Sequence, residues 1–315
     1  MRKFVLLILL CVLYVIALCS CPAEHAETEE YHNSSNSQLM YGNLTASHKY
    51  AAGSEGVYYC EKDAVYYIPA ENTGNKTCIL TASEELPGIH TIFLYHGQLY
   101  LCDQEDNTFR RYDMESETLE IMKIPLPENR LISDYYVADH TLFVAYAYWE
   151  GITCVDLESL ECTHYDNVWG QTVYADGKLY VLGSTLTVID RKDGSVTQAE
   201  LISEDHPQYV PKKLFTDSQN HIYLVMEDRV FMQEKLFSMD SDTFALHEIT
   251  EISADRFLFE SGEDIYYTAD SFIYRMDMET RQTESVMNQP EGYLFPVGKY
   301  LCSENGEGIT IHSVE

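Results

Sequence analysis

The sequence predicts an all-β chain: seven four-stranded antiparallel sheets set in a ring, a seven-bladed β-propeller. Three observations predict it. A short apolar strand with an aromatic second residue recurs seven times. The same turns and strands accompany each copy. Few segments keep a 3.6-residue apolar period for longer than two turns, so helix is scarce.

The copies are Val57-Tyr58-Tyr59, Leu99-Tyr100-Leu101, Leu142-Phe143-Val144, Leu179-Tyr180-Val181, Ile222-Tyr223-Leu224, Ile265-Tyr266-Tyr267 and Lys299-Tyr300-Leu301. Their aromatic positions are spaced 42, 43, 37, 43, 43 and 34 residues apart. Apolar runs without polar alternation mark strands buried on both faces. Before each run lies a strand closed by a tight turn, as in Tyr95-His96-Gly97 and Ala175-Asp176-Gly177. After it comes a strand that ends in an apolar residue and Asp: Tyr112-Asp113, Val155-Asp156, Ile189-Asp190, Met239-Asp240 and Met276-Asp277. Aspartate suits that place because its carboxylate accepts the N–H groups a turn leaves free. The first unit departs from the pattern with Ile68-Pro69. A final strand follows, such as Thr118 to Ile124.

Four strands per unit at a period near 40 residues mean that each sheet covers its faces by stacking radially against its neighbours. The seventh unit has material for three strands, near Tyr293–Val297, Lys299–Ser303 and Gly308–Ser313. The strand-like segment Gln38–Leu44 is expected to supply its fourth and so join the two ends of the chain. Six or eight blades are the alternatives to seven.

Ile265-Tyr266-Tyr267-Thr268-Ala269-Asp270, followed by Ile273-Tyr274-Arg275-Met276-Asp277, resembles the YWTD-type propellers of lipoprotein-receptor proteins, above all a bacterial lipoprotein branch. The likeness runs over roughly residues 45–315 as a repeat pattern. It implies the fold and no particular activity. Two features differ from the receptor proteins: the tryptophan of the motif is absent, and seven units stand where those proteins have six.

The ends of the chain suggest where it works. Arg2 and Lys3 precede an uncharged apolar run, Phe4 to Leu18, and then Leu18-Cys19-Ser20-Cys21. That order is a secretory signal. Its last four residues resemble a bacterial lipobox, which would make Cys21 the lipid-bearing first residue of the mature chain; an uncleaved membrane anchor and free secretion are the alternatives. The expected segments are a signal peptide at 1–20, a lipid-anchored linker at 21–37 and the propeller at 38–315. The linker is polar and acidic, the composition of a disordered tether with a reach of roughly 20–25 Å. Such a protein sits on the extracytoplasmic face of the cell membrane, a monomer held there by its lipid.

Composition narrows the partners. Fifty-one acidic against 20 basic side chains leave a net charge of −31. Nucleic acid and anionic lipid surfaces need clustered Lys and Arg, so neither is an expected partner. Tyrosine is abundant, 25 copies against two tryptophans, as suits strands.

Motifs for catalysis do not emerge. G-x-S-x-G, H-E-x-x-H, a P-loop, G-x-G-x-x-G and an EF-hand loop are all missing. The eleven histidines lack metal-ligand spacing, and His247-Glu248 reads as a solvated pair, so neither a metal nor a cofactor is expected. Cys60, Cys102 and Cys302 share one position in units one, two and seven and read as small buried hydrophobes. Cys154 and Cys162 flank one turn and are a candidate disulfide. The sequons at Asn33, Asn43 and Asn75 carry nothing in a bacterial lipoprotein.

A ligand is expected at the end of the ring built from second-to-third-strand loops and from the links between units. Tyr148 and Trp149 lie in the first kind of loop, Trp169 in the second, and His206 and Tyr209 in the long link between units four and five. Aromatics on loops suit stacking on sugars or anchoring a peptide, and Trp149 and Trp169 read equally as plugs of the channel or as packing between blades. The expected function is non-enzymatic binding of a protein, peptide or glycan; the alternative is an extracytoplasmic polysaccharide hydrolase or lyase with its site in the channel.

Overall fold

Each apolar strand with an aromatic second residue becomes the second strand of its own antiparallel sheet. The computed structural model describes residues 49–315 apart from 62, 73, 85, 87, 90, 104–107, 128–129, 202–208, 217–219, 250–255, 262–263, 298–299, 306–307 and 313–315. Six sheets have four strands paired in chain order. Sheet 3 illustrates them: Ile132–Ala138, Thr141–Tyr146, Ile152–Asp156 and Cys162–Tyr165. Sheet 7 shows three, Tyr293–Val297, Tyr300–Asn305 and Gly308–His312. The segment expected to complete it, 38–44, lies outside the described residues, as do the signal segment, Cys21 and the linker. The only helical element among the described residues is a short 3-10 turn, Ala147–Trp149.

Apolar contacts between neighbouring sheets close the ring. Tyr50 of sheet 1 meets Phe295 of sheet 7, ring centroids 4.6 Å apart, and Tyr300 Oη donates to the Ser54 carbonyl at 2.8 Å. Sheets 2 and 3 join where Phe109 meets Tyr135 edge-on at 4.9 Å and Thr91 Oγ1 lies 3.0 Å from Tyr135 Oη. Phe143 and Tyr174 join sheets 3 and 4, and the Gln171 side chain accepts the Leu214 N–H between sheets 4 and 5. The core is therefore divided among the sheet interfaces. Second strands face two interfaces at once, which is why Leu142, Phe143 and Val144 are all buried. Pairs such as Tyr59–Tyr66 and Tyr267–Tyr274 add ring stacking across strands within a sheet.

Both predicted turn types are present. His96-Gly97 and Asp176-Gly177 have positive φ at both central residues, the hairpin turn whose twist matches the strands. At the other kind, Asp113, Asp156, Asp240 and Asp277 each accept the backbone N–H three residues on, at 2.6–2.8 Å, from Ser116, Ser159, Thr243 and Thr280. Those bonds hold the four carboxyls below the usual carboxylate range. The residue after each Ser or Thr then turns left-handed: Glu117, Leu160, Phe244 and Arg281.

Candidate ligand-binding face

Strand order gives the ring two unlike ends. First strands begin, second strands end, third strands begin and fourth strands end on one of them, the loop face. The tight hairpins and the Asp turns occupy the opposite end. Ten large apolar side chains stand exposed among the described residues: Ile121, Leu131, Tyr148, Trp169, Val196, Val230, Phe231, Met232, Phe272 and Tyr293. Ile121 and Val196 lie on fourth strands, at the rim of sheets 2 and 4. The other eight lie on the loop face, in loops or at the strand ends that meet it.

The sheet 3 loop is held in place by its neighbours. The Ala147 N–H donates to the Leu131 carbonyl at 2.8 Å, and the Tyr146 N–H to Gly151 at 3.1 Å. Arg130 Nη1 donates to the Glu150 carbonyl at 2.5 Å and also to His164 Nε2. His164 Nδ1 lies 2.9 Å from Thr153 Oγ1, which lies 3.0 Å from Tyr146 Oη. Asp166 completes the group, 3.1 Å from His164 Nε2 and 3.4 Å from Arg130 Nη2. Burial raises the Tyr146 phenol, so it stays neutral and serves as a hydrogen-bonding end to the chain. The guanidinium carbon also lies 5.5 Å from the centre of the Tyr146 ring. This polar network thus anchors both flanks of a loop whose middle residue, Tyr148, is 81 % exposed with φ 57°. A bulky residue in the left-handed region is strained and persists where its surroundings over-determine it.

The predicted aromatic residues are distributed unevenly. Tyr148 projects from that loop, and Trp149 ends its 3-10 turn. Trp169 lies in the link from sheet 3 to sheet 4, partly exposed, with its carbonyl close against Gly183. Tyr209 does not stand on a loop as expected. It opens a long first strand, Tyr209–Thr216, and is buried against Phe237 with Lys235 Nζ 5.6 Å from its ring centre. His206 lies outside the described residues. The candidate pair Cys154 and Cys162 is not bonded. Register explains this: Cys162 is opposite Val155 and Cys154 opposite Thr163, so successive side chains send the two sulfurs to opposite faces of the sheet. Cys102, Cys154 and Cys302 are buried free thiols, and burial pushes Cys154 up to about 11 and Cys302 to about 12.

Arg130, His164 and the run Val230-Phe231-Met232 escaped the sequence reading. The first two are 34 residues apart in the chain and meet only when the strands of sheet 3 pair. The third had a local signal: three consecutive apolar residues two positions after Asp228, where the repeat pattern calls for a loop.

The described acidic residues that are buried are Asp228 and Glu234. Asp228 accepts the N–H groups of Val230 and Phe231, and Glu234 faces Lys213 Nζ at 4.0 Å. Among the described residues no three His, Cys, Asp or Glu side chains converge as metal ligands would.

No family model matches the chain, and no curated protein sequence matches it. Solved structures do. Oligogalacturonate lyase from Vibrio parahaemolyticus aligns at a TM-score of 0.60 with 11 % identity, over 87 % of this chain and 89 % of its own. PorZ of Porphyromonas gingivalis, a bacterial surface component of the type-IX secretion system, aligns at 0.51 with 12 % identity over 87 % of this chain. The extracellular domain of BT4673 from B. thetaiotaomicron, a putative one-component system, aligns at 0.51 with 13 % identity, also over 87 %. The chain spans 38 % and 39 % of the lengths of those last two. At these identities the likeness is one of fold: this chain is a seven-bladed β-propeller with bacterial structural neighbours.

Proposed function

We propose that this protein is an extracytoplasmic lipoprotein, anchored through Cys21, whose propeller captures a protein, peptide or glycan on its loop face without transforming it. One observation carries the reading: eight of the ten exposed large apolar residues among the described ones gather on that face. Exposed apolar groups clustered on one surface mark interaction sites, whereas scattered ones carry no such meaning. The pinned sheet 3 loop adds preorganisation, since a side chain already held in its binding position loses little entropy on contact. The extracellular domains among the structural neighbours agree with this placement. The alternative, a polysaccharide hydrolase or lyase, takes its support from the oligogalacturonate lyase likeness and would need acid and base groups converging in the channel.

The test is capture of partners from the organism's own envelope extract, with bound protein and bound glycan assayed separately. Tyr148→Gly relieves the left-handed strain, so it should keep or raise thermal stability while lowering capture about tenfold, as loss of one interface anchor does. Trp169→Ala should act in the same direction, and Ile121→Ser, on the rim, should change nothing. Undiminished capture by both loop-face variants would remove the reading. Conversion of bound glycan to shorter products would favour the enzymatic alternative.

A further inference from the structure

The polar network under the sheet 3 loop points to regulation: we propose that His164 is a pH gate, which pins the loop carrying Tyr148 near neutral pH and frees it in mild acid. The proposal rests on the reading of the loop face as a capture surface and gives that surface a control.

His164 Nε2 meets two partners with opposite demands. Arg130 Nη1, which can only donate, touches it, and Asp166 Oδ1, a carboxylate oxygen, lies 3.1 Å away. A ring nitrogen carries either a lone pair or a hydrogen, so it serves one of them at a time. With the lone pair it accepts from Arg130, and a permanent guanidinium charge favours that neutral ring. The same guanidinium nitrogen donates to the Glu150 carbonyl at 2.5 Å. Glu150 directly follows the turn Ala147–Trp149, so this bond ties down the far flank of the loop.

A further proton on the ring changes the partner. An imidazolium has hydrogen on both nitrogens, so Nδ1 donates to Thr153 Oγ1 and Nε2 donates to Asp166. Asp166 then serves two cations, and it lies nearer the ring, 3.1 Å against 3.4 Å from Arg130 Nη2. The guanidinium faces a like charge where it had an acceptor. Arg130 turns away, and the Glu150 carbonyl loses its donor. The titratable and charged groups around the ring, among the described residues, are Arg130, Asp166, Glu150, Tyr146 and Cys162, the last on the same strand face by register. Burial raises the Tyr146 phenol and the Cys162 thiol, so both stay neutral and neither offsets the new charge.

The loop is placed to respond. Its backbone runs against the imidazole, where a Cβ at Gly151 would stand 3.0 Å from His164 Cε1. Tyr148 is held at φ 57°, and such strain persists only while neighbours over-determine it. Imidazoles are the side chains that ordinarily change charge between pH 5 and 8, the range in which this gate opens.

Amide hydrogen exchange over residues 146–151, corrected for the intrinsic rate at each pH, tests the gate without a ligand. Between pH 7.5 and 5.5 the parent's protection should fall at least about fivefold. In H164Q, whose side-chain oxygen accepts from Arg130 and does not titrate, it should change less than about twofold. Asp166→Asn removes the carboxylate that receives the ring proton and should move the transition about half a pH unit lower. Thermal unfolding at both pH values checks that each variant is folded. Protection that holds in the parent, or that falls equally in H164Q, would overturn the gate and leave capture standing. Parent protein that captures nothing from its own envelope extract at either pH would remove the capture reading, and the gate's purpose with it, even if the loop loosens.

Discussion

At the scale of the residue, five aspartates do repeated structural work at the end of the ring away from the loops. Four of them, Asp113, Asp156, Asp240 and Asp277, are held low by the backbone N–H groups they accept. A carboxyl depressed in the folded state stabilises the fold above its unfolded value, near 3.9, and loses that contribution as the pH falls through its folded value. Stability should therefore drop below about pH 4, with these turns among the causes. Asp277→Asn keeps an acceptor oxygen but cannot titrate, so its thermal midpoint should fall less than the parent's between about pH 5 and 3. An equal fall would show that this carboxylate is not one of the causes. These aspartates were legible in the sequence because a turn cap is a local device, decided within four residues. The strained Tyr148 was legible only as an aromatic on a loop; its φ is imposed by Arg130 and Leu131, which come from the link between sheets 2 and 3.

At the scale of the element, loops on the loop face are held by close backbone approach. Gly170, just after Trp169, has φ 133°, and a Cβ there would stand 2.1 Å from the Leu182 carbonyl oxygen. Gly170→Ala should cost about 3 kcal/mol or more in denaturant unfolding, since both the dihedral and the contact forbid the methyl group. A loss under about 1 kcal/mol would mean that the link between sheets 3 and 4 shifts freely. Second strands were the most legible elements, because burial on both faces writes an unbroken apolar run. First strands were less so: Tyr209 read as loop because Pro211 and the lysines after it, Lys212 and Lys213, interrupt the pattern, yet strand pairing runs through them with one irregularity between Pro211 and Lys213.

At the scale of the whole molecule, stability depends on the joint between the first and last described sheets, which side-chain contacts hold together among the described residues. Phe295 is fully buried there against Tyr50. Phe295→Ala should cost about 3–5 kcal/mol and make thermal unfolding less cooperative, because it opens the ring as well as a cavity. A loss no larger than that of an exposed substitution would place closure elsewhere. By itself the sequence determined the sheet count, the second strands, the turn chemistry and the polarity of the two ends, because all of these follow from patterns within about forty residues. Tertiary structure alone decided which loop residues meet. Arg130, His164 and Thr153 converge because three separate segments end at one corner of sheet 3, and Tyr209 turns inward because sheet 5 needs its ring against Phe237. The physical reason is that a propeller repeats its framework locally, while its loop face is assembled from loops and strand ends distant in the chain that meet only when each sheet pairs.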